Sequence, residues 1–565
     1  MFAQWPLSAE ELVSWRWSDL EPHYHDLQQR ALTASTVKDW LEDWSWLSEA
    51  VDELSTRLYL ATAQDTTDEE ARQRFHRFLE EDFPHIEAAE QRLKEKLLAS
   101  GLEPEGLAIP LRHMRTDAAL FREENLPLMA EGHKLSNRYD EIIGAQTVVW
   151  DGEECTLAQM RPVLQEADRS RREQAWRLMA ERQLADREAL NALWQEMFDL
   201  RLRMARNAGF ADYRAYRWQQ LHRFDYTPED TKAFHRAIEE VVVPAAARVY
   251  EKRRRLLGVD RLRPWDLEMD PFGEAPLRPF ATVKELQAGA AAIFHRVDPA
   301  LGRYFDTMRA QGLLDLENRK GKAPGAFCAG LAVSKQPFIF MNAVGTHDDV
   351  QTLLHESGHA FHVFEAASLP YHPQHEAPME FAEVASMGME LLAAPYLEEK
   401  HGGFYSPRDA ARALLSHLER TLRFWPYMAV VDAFQHWVYE NPQAAHDPQA
   451  CDRTWSALWQ RFMVGVDWEG WEEVLATGWH RKLHIYYVEY GLAQLGAVQV
   501  WANALRDQAG AVAAYRRALA LGNTLPLPQL YATAGARFAF DADTLQRAVA
   551  LLLEKVDELE ARALA

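Results

Sequence analysis

The chain has 565 residues and a formal net charge of −23, with hydrophobic residues at 48% and charged residues at 26%. That composition is globular rather than disordered, and so strong a negative charge argues against a surface that binds nucleic-acid phosphates. Three widely spaced cysteines, Cys155, Cys328 and Cys451, make no disulfide framework and suit a reducing compartment.

The opening stretch MFAQWPLSAEEL has neither a basic n-region nor an apolar h-region, so no signal peptide is expected. No apolar run approaches the ~20 residues that span a bilayer. The expected location is the cytoplasm, with no membrane partner. The first two hundred residues read as helices. STVKDWLEDWSWLSEAVDELSTRLYLATA (35–63) sets apolar residues three and four apart, with charges between them. Residues 68–101 repeat that pattern and close on Gly101, a plausible C-cap. Strand signals are scarce here. GVDRLRPWDLEMDPFGEAPLRP (258–279) is dense in Pro, Gly and Asp and reads as an ordered loop. Residues 317–349 carry the one convincing β signal, QPFIFMNAV (336–344), and predict a small sheet.

VQTLLHESGHAFHVFEAASL (350–369) follows that sheet. Thr346 and Asp349 are spaced to cap a helix, and Pro370 stops it. His355 and His359 are four apart, so both imidazoles leave one face a turn apart and can reach one tetrahedral zinc. Glu356 is placed to touch a water at that metal without binding it. Gly358 costs about 1 kcal/mol in a helix interior, so a close neighbour is expected there. The bland alternative is a solvated polar stripe.

Zinc needs a third protein ligand. HExxHxxGxxH does not fit, because His362 stands at the glycine and Glu365 at the last histidine. His362 itself, His372 or His375 in the following loop, or a glutamate on the next helix remain. That helix, EAPMEFAEVASMGMELLAAPYL (376–397), has Pro378 near its start and carries Glu380, Glu383 and Glu390. Glu383 lies in a strongly apolar segment, where a carboxylate needs a cation. Glu380 is a candidate acceptor for a histidine N–H. Further on, WHRKLHIYYVEYGLAQLGAVQVW (479–501) is taken as one helix, with Tyr486, Tyr487 and Tyr490 opposite its aliphatic face as a cavity wall.

HESGHAFH followed by FAEVAS resembles the oligoendopeptidase F and thimet oligopeptidase family of zinc metallopeptidases. In that family the glutamate of an F-x-E-x-x-S segment is the third ligand, and Glu383 stands at the matching distance, 24 residues after His359. NAGFADYRAYRW (207–218), LRPWDLEMDP (262–271), RKGKAPGAFCAG (319–330) and QPFIFMN (336–342) also look like family segments in the family's order. The resemblance implies a mainly α, two-lobed fold around a deep channel, with one small β-sheet near the zinc helix. Residues 1–200 would form an N-terminal lobe and 201–565 the catalytic region. It implies one zinc ion per chain on His355, His359 and Glu383, Glu356 as general base, and His484 with Tyr490 or Tyr487 steadying the oxyanion. QPFIFMN would pair with the substrate backbone. The expected activity is endopeptidase cleavage of short peptides by a monomer. A carboxypeptidase or dipeptidyl carboxypeptidase on a related scaffold is the near alternative, and a non-catalytic helical metal- or peptide-binding protein the distant one.

Overall fold

The computed structural model describes residues 8–319, 321–482 and 487–564. Helices dominate, as their periodicity predicts, and Gly101 closes Phe83–Ser100 at φ 66°. The N-terminal helices, among them α1 (Val37–Gln64), share an apolar core around Leu20, Trp40, Leu47 and Leu93. Tyr371, far along the chain, packs into the same core. The larger core gathers helices from both halves of the sequence.

Two small sheets interrupt the helices. β1 (Thr147–Trp150) and β2 (Glu153–Thr156) form an antiparallel hairpin. Its turn residues, Asp151 and Gly152, both have positive φ, 51° and 87°, the geometry that favours Asp-Gly in two-residue turns. Only one sheet was expected from the sequence, so this hairpin is a correction. The expected sheet joins β3 (Leu314–Glu317), β4 (Phe327–Leu331) and β5 (Gln336–Ala343) in the order β3-β5-β4. β5 runs parallel to β3 and antiparallel to β4. QPFIFMN is therefore the central strand, hydrogen-bonded on both sides, and cannot add a peptide to itself. β3 and β4 each have a strand partner on one side only and are the two edges. This overturns the expectation placed on QPFIFMN, because a sequence shows which residues suit a strand but not its order in the sheet.

β5 leads into α2 (His347–Ala366), whose first turn is closed by the expected Thr346–Asp349 capping box, with the Thr346 N–H donating to Asp349 Oδ2 at 2.7 Å. α3 (Met379–Ala393) follows, with Pro378 as its N-cap. The long α4 (Pro407–Glu440) brings His417 Nδ1 to 3.5 Å from Glu390 Oε2 of α3. Residues 479–501 are not one helix. Thr477–Lys482 is a 3-10 turn, Tyr487 has non-helical angles of −150° and −18°, and α5 begins only at Val488 and runs to Ala504. Glu489 sits in its first turn, where the helix dipole favours an acid. Tyr486 lies outside the described residues. Ala542–Leu564 closes the fold as α6. Among the described residues, no helix is long and apolar enough to cross a membrane.

Candidate metal and active site

α2 and α3 pack with almost no gap. A Cβ on Gly358 would stand 2.4 Å from the Ala385 carbonyl oxygen and 2.6 Å from the Ser386 Cα. The glycine anticipated as a space-maker thus lets two helix backbones touch. The contact brings His355 and His359 from α2 against Glu383 from α3, with one donor atom from each within 4.8 Å of the others. His355 Nε2 lies 3.3 Å from Glu383 Oε2, and His359 Nε2 lies 3.7 Å from Glu383 Oε1. Bonds of about 2.0–2.1 Å at the tetrahedral angle place neighbouring ligand atoms roughly 3.3–3.5 Å apart, so the spacing suits a zinc-sized ion.

The histidine tautomer suits it too. His355 Nδ1 and Glu390 Oε1 are 2.6 Å apart, and an Nδ1–H donated there leaves the Nε2 lone pair facing Glu383. Ser386 Oγ donates to Glu383 Oε2 at 2.9 Å. Burial would raise the Glu383 carboxyl, but His355, His359 and Ser386 hold it below the usual carboxylate range. Burial likewise works against a charged His355, yet Glu383 and Glu390 raise its pKa well above normal, so without a metal Nε2 carries a proton that a bound ion would displace. His359 lacks such bonds, and burial pushes it down to about 4.

The histidine partner is Glu390 rather than the expected Glu380. It lies seven residues after Glu383, two turns on and on the same face. Glu380 instead accepts from the Tyr226 hydroxyl at 2.5 Å. His362 is buried against the Phe381 ring, outside the donor group. His372 and His375 belong to a different group, with Glu49.

Glu356, 6% exposed, lies on α2 beside β4. Burial pushes its carboxyl up to about 7, while His355 and a bond from the Cys328 backbone pull the other way. α5 packs on α3 with Gly496 against Val384. Tyr487 and Tyr490 stand together near its start, ring centroids 5.3 Å apart, with Lys482 Nζ 4.2 Å from the Tyr487 ring centroid. His484 lies outside the described residues.

Residues 163–550 match the family described as Peptidase family M3, and residues 11–106 match the Peptidase M3 N-terminal domain. The chain belongs to peptidase family M3. Among curated relatives, Oligopeptidase PepF of Bacillus subtilis (strain 168) is 24% identical over 336 residues, 56% of this chain and 47% of the relative. The chromosomal oligoendopeptidase F of Lactococcus lactis subsp. cremoris is 27% identical over 211 residues, 37% of this chain and 31% of the relative. The alignments thus span less than half the length of these relatives. A solved structure of PZ peptidase A with inhibitor 2 superposes with a TM-score of 0.91 at 25% identity, covering 100% of both chains. Oligoendopeptidase F from Enterococcus faecium shares the fold, with a TM-score of 0.64 at 15% identity over 98% of this chain and 99% of that one.

Proposed function

We propose that this M3 chain is a zinc-dependent endopeptidase that cleaves internal bonds of short peptides. The observation that carries the reading is the pairing of two features on α2. His355 and His359 meet Glu383 at ligand spacing, and buried Glu356 stands next to them. Peptidases of the B. subtilis and L. lactis type give the reaction class.

Zinc held by His355, His359 and Glu383 would, when bound, acidify a water and polarise the scissile carbonyl. Glu390 fixes the His355 ring by accepting its Nδ1–H, and Ser386 orients Glu383. Glu356 takes the proton of the attacking water and returns it to the leaving amine. Burial tunes that carboxyl towards neutrality, where a base can both accept and release a proton. His484 with Tyr490, or Tyr487 in its place, donates to the oxyanion. The outer edge of β4, which has no strand partner, hydrogen-bonds the substrate backbone, which gives affinity with little side-chain selection. Residues 1–200 form the lobe over the site and 201–565 the catalytic region.

The test is cleavage of an internally quenched peptide blocked at both ends. Internal cleavage that chelator and Glu356→Gln each abolish supports the assignment. Trimming of an unblocked peptide only would move it to a carboxypeptidase. Failure of zinc-loaded protein on both peptides overturns it in favour of a binding protein.

A further inference from the structure

Glu49, His372 and His375 form a second group with donor atoms within 4.8 Å of one another. Glu49 comes from α1, in the N-terminal helices. Both histidines come from the segment between α2 and α3. We propose that Glu49, His372 and His375 bind a second zinc-type divalent ion, which pins α1 to the segment leading into α3.

The donor set is the His2Glu combination that zinc accepts. His375 is prepared as a ligand. Its Nε2–H faces the Leu369 carbonyl oxygen at 3.0 Å, which leaves Nδ1 as a lone pair, the arrangement by which a backbone carbonyl fixes a metal-binding imidazole. His372 keeps a buried Nδ1 that has no hydrogen-bond partner among the described residues, an unusual state for a buried ring nitrogen. The rings of His372 and His375 stand edge to face, centroids 6.2 Å apart at 89°. The backbone N–H of His372 donates to Ser45 Oγ on α1 at 3.2 Å, so helix and segment are already joined beside the cluster.

The surrounding charge also asks for a cation. Glu376 Oε1 lies 3.9 Å from His372 Nε2. Glu53 is already satisfied: its Oε2 accepts from the Val333 and Ser334 N–H groups at 2.8 and 3.0 Å, and its Oε1 from Arg57 Nε at 2.8 Å. Asp52, exposed on the same helix, is a further acid beside Glu376, Glu53 and Glu49. Among the described residues, the cation bonded to the three donors themselves is Lys335, whose ammonium pairs with Glu49 Oε1. Lys335 is therefore the competitor that a divalent ion has to meet. Both histidines lie in a loop and Glu49 is 323 residues before His372, so no local motif announces the set.

The experiment counts zinc per chain by mass spectrometry in full-length protein, after loading and desalting. Wild type is expected to hold two ions. His359→Ala and the double variant His372→Ala/His375→Ala are each expected to hold one. The thermal midpoint should rise with added zinc in His359→Ala and not in the double variant. Lys335→Met keeps all three donors, and should tighten the second ion about tenfold by removing the competing charge. An unchanged zinc count in the double variant overturns the proposal. So does a wild-type count of one that His359→Ala abolishes. An unchanged count in His359→Ala, with one ion lost in the double variant, would instead count only against the catalytic assignment, so the two readings fail separately.

Discussion

Two histidine–glutamate clusters lie 8 residues apart at their nearest, His375 to Glu383, and differ in what holds them. The first is built on two helices whose backbones touch at Gly358, and a carboxylate already orients one imidazole. The second joins a helix to a loop, and a lysine already holds its carboxylate. A ligand set on rigid elements is preorganised for chemistry. A set that spans separate elements gains most of its worth by joining them. Glu356 lies beside the first alone, which is why catalysis is assigned there.

Breaking the first cluster gives the largest effects. His359→Ala should reduce cleavage of the quenched peptide to background and remove one zinc per chain. Glu356→Gln should keep both ions and lower kcat about 10²–10⁴-fold, the range for a lost general base. Next comes the support. Glu390→Gln should weaken zinc at the first cluster about 10–100-fold, as losses behind a ligand do. Competition with a chelator would measure it, and unchanged affinity would remove Glu390 from the assembly. Gly358→Ala should destabilise by about 3 kcal/mol, the upper end for overpacking, and loosen zinc at the first cluster while sparing the second.

The smallest effect sharpens the contrast with a group that has no open metal face. Buried Asp432 faces His235 Nε2 at 2.7 Å and His436 Nε2 at 3.3 Å. Burial alone would raise the Asp432 carboxyl, but the two imidazoles hold it well below the usual range. A carboxylate depressed on folding stabilises above its unfolded pKa, near 4, and loses that contribution as pH falls below it. Asp432→Asn should destabilise by about 1–3 kcal/mol at neutral pH. In denaturant titrations the gap to wild type should shrink below about pH 4. Zinc content should not change.

What the sequence made legible was local. The helix of HESGH, its capping box and the close approach at Gly358 follow from neighbouring residues. Glu383 was placed by family resemblance, because Glu380 and Glu390 offer the same chemistry on the same helix. Glu390 was legible in principle from its seven-residue spacing to Glu383. The Asp151-Gly152 hairpin carried its own signal and was passed over. Other features were not local. The central place of QPFIFMN depends on β3 and β4 finding it from both sides. Glu49 joins His372 only through the packing of the N-terminal helices on the later segment. The tyrosine segment misled because an apolar period at α5 was extended back through Tyr487, where the backbone is not helical.

The seam between α1 and the sheet has a mechanical consequence. Thr66 N–H and hydroxyl both donate to the Gly321 carbonyl, Ala323 N–H donates to the Ala63 carbonyl, and Arg319 donates to the Gln64 carbonyl at 2.8 Å. Past the far end of β4, Glu53 receives the Val333 and Ser334 N–H groups. β4 is thus clamped to α1 beyond both of its ends. At about 0.5–1.5 kcal/mol per bond, parting them would consume much of the stability of an ordinary domain. α1 and the sheet therefore travel as one rigid body. Any hinge that widens the way to β4 has to flex elsewhere, so the edge proposed to bind peptide keeps its shape.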